Sequence, residues 1–330
     1  MNNISVKKEF SKALQAINEA TSICIISHQH PDADAVGSNL ALRYQLEKMG
    51  KKVVSACVDP VSEDSLFLEK SETFQNDFNY DDFDLIISVD CGAKKLVAFH
   101  NDKPEILSEQ KPFINFDHHE SNDLFGTINV VDEKSCATSF IMCNFFKFAH
   151  FEMDRKTATA LMHGIYFDTG GLMHSNTSLE VYEACSMLLS KGADLQKIVK
   201  HQFKTIKVSK LRLWGKILER AYINEENVVV SAVNSIDYLI CGAGSNDTGG
   251  AIDFLNMIPN AEYCVLLSEN DRGVVKGSLR TRRDDLNLSE VASKWGGGGH
   301  PKASGFGMEG KLKSITKWQI VSNDGNMTDF

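Results

Sequence analysis

The fold is decided by residues 22–38, which read SICIISHQHPDADAVGS. The apolar, β-branched run at 22–27 predicts a strand that is buried on both faces. Apolar side chains then recur at helical spacing from Val36 to Tyr44 and predict a helix. The polar segment between them therefore forms a strand-to-helix turn. Open parallel sheets bind ligands beyond the carboxyl ends of their strands, where such turns lie.

The turn concentrates charge in a small volume. Pro31 disfavours a helical conformation at His30 and predicts an extended backbone there. Asp32 and Asp34 follow, and two adjacent carboxylates do not both ionise cheaply unless a cation joins them. A helix N-cap is an equally good interpretation of either aspartate alone. The pair predicts a divalent metal site.

Periodicity along the chain predicts an α/β protein with a parallel sheet and flanking helices. The further strands predicted for this sheet are 52–57, 84–89, 112–116 and 127–131. Segments long enough to cross over separate these strands, which favours parallel pairing. Helical spacing then predicts helices at 136–150, 155–167, 179–190, 194–203 and 207–222. We assign residues 1–195 to this catalytic domain and 196–224 to a helical connector.

The remaining residues, 225–330, predict a smaller α+β domain. The strands expected here are 227–233, 262–268 and 273–280, with a hairpin turn at 269–272. The helices expected here are 247–257, 288–294 and 311–322. Four consecutive glycines follow at 296–299.

Composition narrows the class of protein. The sequence contains no run of eighteen apolar residues, so we expect no membrane span. Residues 1–20 are too polar for a secretory signal. The eight cysteines include no Cys-x-x-Cys pair, which favours buried thiols in the cytoplasm. The net charge of −9 argues against coating long nucleic acid, but leaves room for a short oligonucleotide or a nucleotide held by a local basic patch.

Histidine and aspartate side chains follow three of the predicted strands, and parallel strand ends meet at one edge of a sheet. The candidate metal ligands at these ends are His28, Asp32, Asp34, Asp90, Asp117 and His118. Carboxylates and imidazoles without thiolates suit Mn²⁺, with Mg²⁺, Co²⁺ and Fe²⁺ as further candidates. Four aspartates and two histidines exceed what one ion needs. Two ions about 3.5–4 Å apart would use them all, and would hydrolyse a phosphoester with a hydroxide held between them.

Five motifs, in order, carry a family resemblance. Residues 28–38, 90–92 (DCG), 117–119 (DHH) and 168–171 (DTGG) resemble the four motifs of the DHH phosphoesterase superfamily. Residues 296–300 (GGGGH), followed by ASGF at 303–306, resemble the DHHA1 domain. The resemblance spans nearly the whole chain and is strongest to the standalone oligoribonuclease and pAp phosphatase branch.

The resemblance implies residue roles in the metal domain. It implies a first Mn²⁺ on His28, Asp32 and Asp90. It implies a second Mn²⁺ on Asp34, Asp90, His118 and Asp168, with Asp90 bridging the two. Asp117 would orient the histidine motif, and His119 would face the scissile phosphate. His30 and Ala33 stand where relatives often carry Asn and Gly, and His30 either contacts phosphate or bonds within the turn.

The C-terminal domain is expected to hold the substrate. Arg280 ends a predicted strand, where its planar guanidinium suits a phosphate, although a charged strand end is the plainer alternative. Gly298 and Gly299 offer backbone N–H groups to an anion beside His300, whereas a flexible turn is their plainer alternative. In relatives this domain holds the nucleotide while the metal domain cuts, which implies an active site between the domains.

We therefore predict a two-metal enzyme acting on short oligoribonucleotides or phosphorylated nucleotides. It would release mononucleotides from short RNA and remove the 3′-phosphate of 3′-phosphoadenosine 5′-phosphate (pAp). The alternatives are a linear or cyclic dinucleotide phosphodiesterase, a family II-like pyrophosphatase and a non-catalytic nucleotide-binding regulator. No membrane partner is expected, and a homodimer is left open.

Overall fold

Two compact units divide the chain, Met1–Thr205 and Ile206–Phe330. The computed structural model describes residues 4–108, 110–203, 206–270, 273–313, 319–321 and 327–329. Within these ranges, no helix is both long and apolar enough to cross a membrane. Each unit has its own buried apolar cores.

A parallel sheet forms the centre of the N-terminal unit. Its strands, in chain order, are β1 (Ser22–Ser27), β2 (Lys52–Ala56), β3 (Leu85–Val89), β4 (Phe113–Asp117) and β5 (Ile128–Val131). They lie in the order β2-β1-β3-β4-β5, and every neighbouring pair is parallel. Every residue of β3 and of β4 is buried, as is typical of central strands in a parallel sheet. The predicted α/β class with a parallel sheet is confirmed.

The helices of this unit share one large core with one face of the sheet. They are α1 (Ile4–Glu19), α2 (Ala33–Lys48), α3 (Thr138–Phe148), α4 (Arg155–Asp168), α5 (Leu179–Ser190) and α6 (Leu195–Phe203). The opposite face is covered by Phe78, Tyr80, Phe83 and Phe99, which lie on short 3₁₀ turns and loops. The site therefore rests on a sheet whose two faces are covered by different kinds of structure.

The strand order places a crevice beside β1. The chain leaves β1 through α2 to reach β2 on one side, whereas β3 pairs with the other side of β1. Open α/β sheets bind ligands where the strand order reverses in this way, at the carboxyl ends of the strands. The carboxyl ends of β1 and β3 carry His28 and Asp90.

The C-terminal unit contains a mixed sheet. Its strands are β6 (Tyr222–Ile223), β7 (Val229–Val233), β8 (Cys264–Glu269), β9 (Val274–Arg280), β10 (Gly298–His300) and β11 (Ala303–Glu309). They lie in the order β10-β11-β9-β8-β7-β6, with β7 and β8 parallel and the other pairs antiparallel. The predicted hairpin of β8 and β9 is present, and two residues of its predicted turn, 271 and 272, lie outside the described residues.

The helices of the C-terminal unit differ from prediction in two places. They are α7 (Val208–Glu219), α8 (Ser235–Cys241), α9 (Ala251–Leu255) and α10 (Leu288–Ser293). The helix predicted at 247–257 is shorter, because Gly249 and Gly250 separate a 3₁₀ turn from α9 and Gly250 has a φ of +88°. We did not predict α8, although Asn234 and Asp237 form a capping box at its start.

The flexible-turn alternative does not hold for Gly298 and Gly299, which lie in strand β10, paired with β11. The helix predicted at the end of the chain was wrong. In the helix predicted at 311–322, residues 311–313 have no regular structure and Gln319–Val321 is a strand, β12, paired with β13 (Met327–Asp329). Residues 314–318 and 322 lie outside the described ranges. The β-branched pair at 320 and 321 favours the extended state.

Candidate metal centre

Three adjacent strands deliver the predicted ligands to one edge of the sheet. His28 follows β1, Asp90 follows β3, and β4 ends at Asp117, just before His118. Because β3 pairs with β1 on one side and β4 on the other, these residues converge as parallel pairing requires. The structure therefore brings together side chains that are far apart in sequence.

His28, Asp32 and Asp90 form the first cluster, with one donor atom from each lying within 4.8 Å of the others. His28 Nδ1 lies 2.7 Å from the Gln29 carbonyl oxygen, and its Nε2 lies 3.6 Å from Asp90 Oδ2. Burial lowers the pKa of His28, but the interaction with Asp90 outweighs burial and raises the pKa to about 9. The ring orientation thus directs Nε2 at the carboxylates.

Asp34, Asp90 and His118 form the second cluster under the same distance limit. His118 Nε2 lies 3.6 Å from Asp90 Oδ1 and 3.3 Å from Asp168 Oδ2. His118 Nδ1 lies 3.2 Å from the Ser135 carbonyl oxygen, which sets the ring. Asp168 is the last residue of α4, and its contact with His118 places it beside the second cluster. The structure therefore brings the four residues predicted for the second metal close together.

Asp90 belongs to both clusters. Its Oδ2 faces His28, its Oδ1 faces His118, and the residue is only 3% exposed. Its backbone is left-handed, with a φ of +61°, and its N–H donates to the Phe116 carbonyl oxygen at 2.9 Å. Aspartate is among the few side chains that tolerate this conformation. The turn after β3 thus aims one carboxylate at two sets of donors.

The donor chemistry fits divalent cations. Burial and the neighbouring carboxylates raise the pKa values of Asp34 and Asp168 well above their usual range. The pKa of Asp32 is also raised, first by burial and then by the negative charge of Asp90. Burial would also raise the pKa of Asp90, but the hydrogen bond from His28 and the charges of His119 and His118 hold it low. A cation among these oxygens would replace the protons that otherwise relieve the crowding.

Asp117 orients His119. Its Oδ1 lies 2.8 Å from His119 Nδ1, and its Oδ2 accepts a hydrogen bond of 2.6 Å from Asn122. Burial lowers the pKa of His119, but the hydrogen bond to Asp117 and the charge of Asp90 outweigh burial and raise the pKa to about 9. Gly92 packs against this ring, since a Cβ there would lie 2.8 Å from His119 Cγ. The carboxylate thus fixes the ring of His119, whereas the Ser135 carbonyl fixes that of His118.

His30 departs from its predicted conformation. Its φ is +54°, so the turn is left-handed there and not extended. Its N–H donates to Asp59 Oδ2 at 2.9 Å, and its exposed ring places Nδ1 3.1 Å from the same oxygen. The hydrogen bond to Asp59 compensates the energetic cost of the left-handed backbone at His30. His30 belongs to neither of the two clusters above. Of the two alternatives for His30, the structure shows a hydrogen bond that holds the turn, made to Asp59.

Asp32 and Asp34 each accept hydrogen bonds from the N-terminus of a helix. Asp32 is the N-cap of α2, and its Oδ1 accepts from the backbone N–H groups of Asp34 and Ala35. Asp34 instead accepts from the first N–H groups of α3, those of Thr138 and Ser139. The capping interpretation is therefore correct for Asp32 and does not remove it from the first cluster.

Sequence reasoning missed Thr138, Ser139 and Gly164. A Cβ on Gly164 would lie 2.1 Å from Ser139 Oγ and 2.4 Å from Asp34 Oδ1, so α4 passes directly over the second cluster. The Thr-Ser pair at the start of a predicted helix was the available signal, because such residues mark helix N-termini. No local pattern indicates that this N-terminus meets Asp34.

The predicted substrate residues of the C-terminal unit lie at one end of its sheet. Arg280 pairs with Ala303 on β11, and Ala303 pairs with His300 on β10. Arg280 Nε lies 4.0 Å from Asp253 Oδ1, and Nη1 donates to the Leu279 carbonyl oxygen. Gly298 and Gly299 lie on β10, where a Cβ on Gly299 would be 2.7 Å from the Ala303 carbonyl oxygen. Arg280 and His300 thus lie at the same level of the sheet, on the two strands that flank β11.

The family follows from matches over both units. Residues 22–165 match the N-terminal domain of the DHH family, and residues 226–318 match the DHHA1 domain. The chain therefore contains a DHH-family N-terminal domain followed by a DHHA1 domain. The resemblance predicted from the motifs is confirmed.

Individual relatives narrow the comparison. The chain is 29% identical over 293 residues to the bifunctional oligoribonuclease and PAP phosphatase NrnA of Thermus thermophilus, covering 87% of this chain and 84% of that protein. It is 25% identical to the protein of the same name from Mycoplasma genitalium, covering 91% and 92%. A solved exopolyphosphatase-related protein from Bacteroides fragilis superposes with a TM-score of 0.84 at 24% identity, covering 93% and 92%, and supports the fold.

Proposed function

We propose that this protein is a two-metal phosphoesterase that hydrolyses short RNA to mononucleotides and pAp to AMP. Relatives that share 25–29% of their residues with it, over most of both chains, are named bifunctional oligoribonuclease and PAP phosphatase. The observation that carries the proposal is Asp90, whose two carboxylate oxygens face two separate donor clusters. A carboxylate shared in this way is what a pair of adjacent cations requires.

We assign the metals from the donor set. His28, Asp32 and Asp90 would hold one ion, and Asp34, Asp90, His118 and Asp168 would hold the other. Manganese suits mixed carboxylate and imidazole donors, and Mg²⁺ and Co²⁺ are its competitors. When bound, a pair of such ions lowers the pKa of a water molecule and stabilises the attacking and leaving oxygens of a phosphoryl displacement.

The protein side chains supply orientation and protons. Asp117 holds His119 through Nδ1, so the Nε2–H of the protonated ring is available to a phosphoryl oxygen. Backbone N–H donors hold the carboxylates of Asp32 and Asp34 in place, so these side chains do not turn toward the histidines. These contacts hold the polar groups of the site in place before substrate arrives, as electrostatic stabilisation requires.

Substrate specificity is assigned to the C-terminal unit. Arg280 would bind a phosphate of the nucleotide through its planar guanidinium. His300 and the N–H groups of Gly298 and Gly299 would contact the same anionic substrate, and His30 is retained as a weaker candidate. The cytoplasmic location and the homodimer stay predictions.

One set of assays separates this function from its alternatives. The metal-free protein is supplied with Mn²⁺ and, separately, a labelled di- to pentanucleotide, pAp, cyclic di-AMP and pyrophosphate. We expect release of mononucleotides and of AMP, and little turnover of the other two substrates. Rapid hydrolysis of pyrophosphate or of cyclic di-AMP with intact oligonucleotides would contradict the proposal. Binding of nucleotide without turnover of any substrate would favour the regulator.

A further inference from the structure

We propose that Thr138 is a positioning residue that ties together the two acidic ligands at the centre of the site, Asp34 and Asp90. This inference rests on the proposed function, because it concerns the same metal centre. It assigns a role to a residue outside the five motifs that mark the family resemblance.

The first contact is made by the backbone. Helix α3 begins at Thr138, and the residue before it, Ala137, has only a methyl group and provides no side-chain cap. The Thr138 N–H donates to Asp34 Oδ2 at 2.6 Å, and the Ser139 N–H donates to Asp34 Oδ1 at 2.8 Å. Asp34 therefore caps a helix that lies more than a hundred residues further along the chain.

The second contact is made by the side chain. Thr138 Oγ1 lies 2.9 Å from Asp90 Oδ1, the same oxygen that faces His118. Thr138 and Asp34 are fully buried and Asp90 is 3% exposed, so water does not compete freely for these bonds. One threonine thus holds a carboxylate of the second cluster with its backbone and the shared carboxylate with its hydroxyl.

The consequence is a fixed orientation of Asp90. A hydroxyl donor occupies one lone pair of Oδ1 and leaves the others directed at the donor clusters. Without that donor, the buried Oδ1 would face a hydrocarbon and would lose the bond that fixes the orientation of its carboxylate. Contacts of this kind behind metal ligands change metal affinity by about 10–100-fold when they are removed.

The test compares two valine variants of buried threonines in the same unit. Thr138→Val removes the hydroxyl that contacts Asp90 and keeps the backbone N–H. Thr159→Val is the matched control, because Thr159 is 7% exposed and its hydroxyl bonds the Arg155 carbonyl and the Asp194 N–H. Thr138→Ser restores the hydroxyl alone. Each EDTA-stripped protein is titrated with Mn²⁺ by calorimetry, and its fold is checked by circular dichroism.

We expect Thr138→Val to bind Mn²⁺ about 10–100-fold more weakly than the wild type. Thr138→Ser should recover to within about threefold, and Thr159→Val should keep wild-type affinity. A folded Thr138→Val protein with wild-type affinity would overturn the inference, as would an equal loss in Thr159→Val. If the valine variant does not fold, Thr138→Ala is measured in its place, and failure of both to fold without metal would show a structural role and overturn the inference. Absence of Mn²⁺ binding by the wild type would instead overturn the proposed function.

Discussion

Asp90 is the residue on which the account depends most. It combines a left-handed backbone with a buried carboxylate that faces His28 on one side and His118 on the other. Strained or unusual backbone conformations persist where the surrounding structure over-determines them, and they concentrate at functional sites. Removal of its charge should therefore weaken metal binding at both positions.

Asp90→Asn tests that statement with little change of shape, since Asn tolerates the same backbone. We expect a folded protein that loses at least one of two Mn²⁺ ions and retains under about one-thousandth of wild-type activity, because the shared anionic ligand is gone. Asp59→Asn removes a carboxylate that bonds His30, and should keep both ions. Equilibrium dialysis with metal analysis measures the stoichiometry. Normal metal content and turnover in Asp90→Asn would refute the bridging role.

Arg280 is predicted to act in binding more than in chemistry. Arg280→Ala should raise KM for an oligonucleotide about tenfold or more and change kcat much less, because it removes an interaction made equally in the ground state. Arg155→Ala, an exposed arginine that pairs with Asp194, is the control. Steady-state kinetics on one labelled dinucleotide measures both constants. A large loss of kcat at constant KM would contradict this role.

At the scale of single residues, the candidate ligands that follow strands could be predicted from the sequence. Residues that contact those ligands from distant parts of the chain could not. Asp90 and His118 were predictable because parallel strand ends share an edge. Thr138 was not, because its partners Asp34 and Asp90 lie 104 and 48 positions away and no local pattern records that contact. The conformation of His30 was predicted wrongly, since Asp59 fixes a left-handed turn that Pro31 alone does not indicate.

At the scale of elements, helices α2 and α4 pass very close to each other above the site. A Cβ on Gly37 would lie 2.4 Å from the Ala160 carbonyl oxygen, and one on Gly164 would lie 2.4 Å from Asp34 Oδ1. The two glycines thus let α4 carry Asp168 to the second cluster. Helical periodicity predicted both helices, but nothing in that pattern gives their separation.

Gly164→Ala should damage both stability and the metal site. The added methyl group must displace Ser139 or Asp34, which we expect to cost about 1–3 kcal/mol in the free energy of unfolding. It should also weaken Mn²⁺ binding. Gly215→Ala is the control on helix α7, where a Cβ meets nothing within 4 Å, and it should stabilise by about 0.5–1 kcal/mol. Urea unfolding and Mn²⁺ titration check both variants. Wild-type Mn²⁺ affinity in a folded Gly164→Ala protein would contradict the close packing.

The start of α8 carries a pH-dependent contribution to stability. Burial would raise the pKa of Asp237, but the hydrogen bonds from Arg220 and from the Asn234 N–H lower it below its usual value. A carboxyl with a depressed pKa stabilises the folded state above its unfolded pKa of about 4, and loses that contribution as pH falls through the folded value. Acid should therefore weaken this unit.

Asp237→Asn measures that contribution. We expect a loss of about 1–3 kcal/mol in the free energy of unfolding at pH 7, and a smaller difference from wild type below pH 4. All three tryptophans, Trp214, Trp295 and Trp318, belong to the C-terminal unit, so tryptophan fluorescence during urea unfolding reports this unit. Asp284→Asn, at an exposed ion pair with Lys302, controls for loss of charge. An equal difference at both pH values would argue against the linkage.

At the scale of the whole molecule, the order of motifs predicted more than the local patterns did. The parallel sheet, the mixed C-terminal sheet and the DHH and DHHA1 domains agree with the sequence-based expectation. Local patterns failed at Gln319–Val321, where pairing with Met327–Asp329 overrides the helical spacing. This failure lies in the C-terminal unit, whose short strands depend on antiparallel partners.

The central claim is that one edge of the parallel sheet seats two cations that share Asp90. Crystals grown with Mn²⁺, measured for anomalous scattering at the manganese edge, test this directly. We predict two anomalous peaks about 3.5–4 Å apart. One should lie among His28, Asp32 and Asp90, and the other among Asp34, Asp90, His118 and Asp168. A single peak that Asp90 does not contact, or manganese bound only elsewhere on the protein, would contradict the account.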